Sequence, residues 1–143
     1  MLRSLAALAW EGPQTLLGAA TWAAFRARGR LVRTTRERGR IVSEITGDGA
    51  VSLGLFVFYT RSDGPFVPVG PENRDHELGH ARQSALLGPL YLPIVGVPST
   101  LRVGFAIAHK LVRGRRWGGY YDGFPERWAD ALGGVDRSLR PPA

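Results

Sequence analysis

The sequence predicts an α+β fold, on three observations. Its strand-like segments are gathered in one block, residues 30–59, and do not alternate with helices. Helical periodicity lies on both sides of that block, one segment before it and three after it. The length, 143 residues, suits a single domain, residues 1–143, with one modest core. The expected order is an N-terminal helix, a small and mostly antiparallel sheet, and three further helices.

The first helix is expected over residues 13–28. Pro13 suits a first helical position, and Gly29 suits the stop. Leu16, Leu17, Ala20, Ala24 and Phe25 fall on one stripe, and Arg26 and Arg28 lie at the end where the helix dipole favours cations. Two short strands follow, over 30–35 and 41–46, and Gly47-Asp48-Gly49 is a turn signal. Residues 50–59 read as one long strand, with Val51, Leu53, Leu55 and Val57 opposite Ser52, Gly54, Phe56 and Phe58. A Gly-, Pro- and Asp-rich loop covers 61–70. The second helix starts near Pro71, with Glu72 and Asp75 in its first turn, and ends before Gly88-Pro89. The apolar stretch 86–97 holds Pro89 and Pro93 and reads as a connection that covers the sheet or the first helix, or else stays partly exposed. The third helix is expected over 99–113, with Leu101, Phe105, Ala108 and Val112 on one face. A short last helix starts at Pro125 and stops at Gly133-Gly134.

Composition removes several classes of function. There is no cysteine, which excludes disulfide frameworks, thiolate zinc sites, iron–sulfur clusters and cysteine nucleophiles. The formal net charge is +7, and 18 of the 19 basic residues are Arg. The charge is placed at the ends: +6 over 1–40, −3 over 41–100 and +4 over 101–143. Such basic ends suit plain solubility, nucleic acid or an anionic membrane surface. The stretch 86–97 falls short of the roughly 20 residues a bilayer span needs. The apolar run after the N-terminus, Leu5 to Trp10, is shorter than the about 7–15 residues of a secretory signal. A cytoplasmic location is therefore expected.

The chemical signal is His76-Glu77-Leu78-Gly79-His80, an H-E-x-x-H motif inside the second helix. Residues i and i+4 share a helix face, so both imidazoles can aim at one point. Zinc takes such nitrogens at about 2.0–2.1 Å. Glu77 stands beside the first ligand, where its carboxylate can reach a water at the metal without displacing it. A third protein ligand is needed, and His109 or Glu126 can supply it. Glu126 is favoured because Asp130 lies four residues on, on the same face. One carboxylate can then bind metal while the other takes the spare N–H of a ligand histidine.

H-E-x-x-H followed by a helix bearing E-x-x-x-D resembles the signature of the gluzincin branch of zinc metallopeptidases, the thermolysin-like zincins. The stretch 76–93, with Val51-Ser52-Leu53-Gly54 and the Trp-Ala-Asp-Ala-Leu-Gly-Gly run at 128–134, is similar to a group of small bacterial proteins that also occur as tail domains of some bacterial toxins. The resemblance implies a minimal zincin-like domain with His76, His80 and Glu126 as zinc ligands. It implies Glu77 as general base and Asp130 as a partner of His76. Larger gluzincins wall the cleft with a second domain, for which this chain has no length.

The implied activity is hydrolysis of a peptide bond in a peptide or protein substrate, by a zinc-activated water with Glu77 as base. Tyr120 and Tyr121, just before the Glu126 helix, are the candidates to stabilise an oxyanion, with His109 as second choice. The strand over 50–59 would hold an extended peptide by strand addition, with Ser52 and Gly54 facing it and Gly54 admitting a close backbone. Two alternatives stand beside this reading. One is an inactive binding module in which zinc only holds helices together. The other is a basic protein of nucleic acid or membrane surfaces, for which Arg113, Arg115, Arg116 and Trp117 are the natural patch.

Overall fold

The computed structural model describes residues 9–138. Helix α1 spans Gly12–Ala27, with Pro13 in its first turn, where a missing N–H costs nothing. Strands β1, Leu31–Glu37, and β2, Arg40–Ile45, pair as a hairpin. Arg38 and Gly39 join them at φ 49° and 82°; two positive φ values in a two-residue loop match the twist of the strands.

The long strand expected over 50–59 is two strands, β3 Val51–Leu53 and β4 Phe56–Tyr59. They pair antiparallel, with Leu53 opposite Phe56, and the chain reverses at Gly54-Leu55. Gly54 has φ +60°, and a Cβ there would lie 2.2 Å from Thr15 Oγ1, so only glycine fits. The apolar alternation runs unbroken across the reversal, which is why a period-2 pattern did not reveal it. The sheet order is β1-β2-β4-β3, with β2–β4 parallel and the other two pairings antiparallel.

Helix α2, Asn73–Leu87, covers one face of the sheet, where Val42, Val57 and Tyr59 meet Leu78 and Ala81. Helix α1 covers the other. Phe25 packs edge-on against Phe58 at 5.2 Å, and Gly18 lies so near that a Cβ would stand 2.5 Å from the Leu53 carbonyl oxygen. Of the apolar stripe of α1 only the C-terminal end, at Phe25, faces this core. Gln14, Thr15 and Gly18 are buried, while Leu16 and Leu17 are exposed. The polar side turns inward because it satisfies main-chain groups: Gln14 Nε2 donates to the Gly88 carbonyl (2.8 Å), and the Leu55 N–H donates to Thr15 Oγ1 (3.2 Å).

The expected connection over 86–97 is helical. A 3₁₀ turn, Gly88–Leu90, leads through a wide π-helical turn, Leu92–Gly96, into α3, Val97–Arg113. Pro93 and Pro98 each fall in the first two positions of their segment, where proline is tolerated. Tyr91 and Val95 are buried, whereas Leu86, Leu90, Ile94 and Val97 are exposed. As a result Leu92–Arg113 runs as one weakly apolar helix of 22 residues; among the described residues no other helix is long and apolar enough to cross a membrane. A 3₁₀ turn, Gly118–Tyr121, then places Tyr120 and Tyr121 in a second small core with Ala106, Val67, Val103 and Trp117. Helix α4, Glu126–Gly133, ends at Gly134 with φ +75°.

Candidate metal centre

Two glycines bring α4 onto α2. A Cβ on Gly79 would lie 1.9 Å from the Ala129 carbonyl oxygen, and one on Gly133 would lie 2.2 Å from that of Asp75. With no side chains between them, the two backbones touch. Glu126, at the start of α4, then reaches the face of α2 that carries both histidines.

The His76, His80 and Glu126 donors lie within 4.8 Å of one another, and all three residues are buried. Each imidazole Nε2 is 3.0 Å from Glu126 Oε2. The far side of each ring is tied to an acceptor. His76 Nδ1 is 2.6 Å from Asp130 Oδ1, and His80 Nδ1 is 2.7 Å from Gln83 Oε1. Gln83 Nε2 donates to the Pro125 carbonyl at 3.0 Å, which orients the amide and leaves its oxygen for His80. Both Nδ1 atoms are therefore donors, and in the neutral rings both Nε2 lone pairs point at a carboxylate oxygen. Three acceptors converge on one spot that only a cation, a proton or a metal ion, can reconcile. Two nitrogens and one oxygen gathered at this scale fit a divalent ion with borderline-soft preferences.

The charges follow. Burial would lower the His76 pKa, but its bonds to Asp130 and Glu126 outweigh this and raise it to about 9. Burial would raise Glu126; its bonds to the two histidines instead hold it well below the usual carboxylate range. Asp130 is likewise lowered against burial by His76 and by Arg137, whose guanidinium grips its carboxylate and lies over the Tyr121 ring. Glu77, buried in the same cavity, is raised by burial first, against the lowering effect of His80 and His76. Its Oε2 is 3.0 Å from Ser52 Oγ, and that hydroxyl also donates to the Glu77 carbonyl at 2.6 Å.

The other expected site residues are distributed unevenly. Tyr120 and Tyr121 line the same cavity of about 770 Å³ as His76, Glu77, His80 and Glu126. The Tyr121 hydroxyl donates to the Pro68 carbonyl (2.9 Å), and its ring packs edge-on against His76 at 5.1 Å. Ser52 lines the cavity, but its hydroxyl is engaged by Glu77. Gly54 lies away from the cavity lining, and the backbone that approaches it is Thr15 of α1. His109 also lies away from the lining; its Nδ1 is 3.1 Å from the Arg115 carbonyl oxygen.

Four supporting residues escaped the sequence reading, Arg137 on the Asp130 carboxylate and three more. Ser99 Oγ donates to Glu126 Oε1 at 2.6 Å, the Tyr91 hydroxyl donates to the Ser52 carbonyl at 2.9 Å, and Gln83 orients His80. Gln83 carried a local signal, since i+3 from His80 is a neighbouring helix position. Ser99 and Tyr91 carried none. No protein-family model, curated protein or solved structure matches the chain. The class that the centre itself defines is a buried His₂–carboxylate cluster capable of holding one metal ion.

Proposed function

We infer that the protein is a zinc-dependent peptidase of the gluzincin kind, acting in the cytoplasm. One observation carries the reading: two imidazole lone pairs and the Glu126 carboxylate meet at one point, with the unligated carboxylate of Glu77 in the same cavity. Zinc bound there would supply Lewis-acid polarisation of a carbonyl and a more acidic water. The chain's own groups do the rest. Asp130 and Gln83 hold the two rings in the tautomer that presents Nε2, and Ser99 holds the Glu126 carboxylate. Glu77, its carboxylate raised by burial and steadied by Ser52, takes the proton of an attacking water as oxygen bonds to the scissile carbonyl carbon. The same proton then passes to the amine nitrogen as the C–N bond breaks. The Tyr121 hydroxyl is committed to the Pro68 carbonyl, which leaves the Tyr120 hydroxyl in the same cavity as the candidate to bond the developing oxyanion.

The test is a pair of substitutions read by metal analysis and peptide hydrolysis. Glu77→Gln keeps about one zinc per chain and loses activity by about 10²-fold or more. Glu126→Ala loses zinc. Full activity in Glu77→Gln would end the peptidase reading and leave a metal-stabilised binding module. Unchanged zinc affinity in Glu126→Ala would remove the third ligand.

A further inference from the structure

We propose that the face formed by α1 and α3 seats on an anionic lipid bilayer, with the metal-centre cavity opening beside it. On α3 the outward residues are Ile94 (just before it), Val97, Leu101, Gly104, Phe105, Ala108, Leu111 and Val112, an apolar face at helical spacing interrupted by Thr100, whose hydroxyl donates back to the Gly96 carbonyl, and closed by Arg113. Leu101 is 68% exposed and Val112 80%. The polar groups Ser99 and Arg102 turn inward, to Glu126 and to the Gly119 and Tyr120 carbonyls. Helix α1 repeats this inversion, with Leu16, Leu17, Ala20, Ala23 and Ala27 outward. Leu17 of α1 and Val97 and Leu101 of α3 line the cavity that holds His76, Glu77 and Glu126, so the two apolar faces flank its mouth.

Charge selects the occupant. Neither helix contains an Asp or Glu, and the end of each is basic: Arg26 and Arg28 close α1, and Lys110, Arg113 and Arg115 close α3, with Arg116 beyond them paired to Asp63. An apolar face that ends in a basic cluster, with Trp117 beside it, is the pattern of a helix lying in an anionic headgroup layer. An 18-residue stretch of the helix Leu92–Arg113 has mean hydropathy 1.2, and only 11% of that stretch is buried. It lies along the surface and does not span, because Ser99, Arg102 and the buried Ala106 fasten its other face to the metal-site half of the molecule.

Co-sedimentation of the full chain with vesicles tests this, using phosphatidylcholine with and without one-third phosphatidylglycerol. The variant is Leu111→Asp/Val112→Asp, both on the exposed face and away from the cavity lining. Expected is wild-type binding to the anionic vesicles, at least tenfold weaker to phosphatidylcholine alone, and at least tenfold weaker for the variant, whose thermal melt and metal content match the wild type. Equal partitioning of variant and wild type, or wild type left in the supernatant, overturns the proposal. So does a wild-type dimer in sedimentation velocity that the variant dissolves, since a second copy would then be the cover. Neither arm depends on peptidase activity.

Discussion

His76 shows how one side chain is set by its neighbours. Without metal, its pKa of about 9 stands above the ordinary 6.5 because Asp130 and Glu126 favour the charged ring more than burial disfavours it. In the metal-free chain this group adds stability that is complete below pH 6.5 and is lost as pH rises through about 9. The melting temperature of chelator-treated protein should therefore fall between pH 7 and 9.5. Zinc uptake at pH 7.5 should release close to one proton from this site, read as a dependence of the calorimetric heat on buffer ionisation enthalpy. Gln83 offers a second test. Its carbonyl oxygen fixes the His80 tautomer, so Gln83→Leu should weaken zinc affinity about 10–100-fold in chelator competition. An unchanged affinity would show that the amide does no orienting.

At the scale of elements, the metal centre exists because α2 and α4 lie backbone to backbone. Gly79 sits inside the H-E-x-x-H motif, and its missing Cβ is what admits Ala129. Gly79→Ala should cost about 1–3 kcal/mol in urea unfolding, as overpacked sites do, and should also weaken zinc binding by moving Glu126 away from the histidines. A loss of stability with intact zinc affinity would mean that α4 adjusts without displacing its carboxylate. Helices α1 and α3 teach the opposite lesson about periodicity. Their apolar stripes were legible in the sequence, yet the stripe of α3 faces outward, as do Leu16, Leu17 and Ala20 of the α1 stripe, leaving only its Phe25 end on the core. A moment reports that a helix has two unlike faces; it does not report which medium each face meets.

Over the whole molecule, one partly buried residue ties the layers together. Arg40 pairs with Glu11 just before α1 (2.8 Å) and donates to the Gly54 carbonyl of the β3–β4 turn (2.7 Å) and to the Ala81 carbonyl of α2 (3.1 Å). The side chains of Arg40 and Glu11 are 13% and 3% exposed, so removing one partner strands the other away from water. Arg40→Ala should cost roughly 3 kcal/mol in urea unfolding, with the buried glutamate left without its cation and, among the described residues, held only by the Ser84 hydroxyl. A change below about 0.5 kcal/mol, the scale of an ordinary surface site, would mean that the network holds nothing together.

The α+β order, the helix ends marked by Pro and Gly, and the placing of His76 and His80 on one helix face were legible along the chain. All of these follow from spacing along a few turns of chain, where local geometry is nearly invariant. The folded arrangement alone brings Glu126 to those histidines across 46 and 50 residues, sets Ser99 and Arg137 against the two carboxylates, and reverses the chain at Gly54. It also points two apolar faces away from the core. Each of these depends on which surfaces meet after the chain has folded back on itself, and a contact of that kind leaves no periodic trace in the residues that make it.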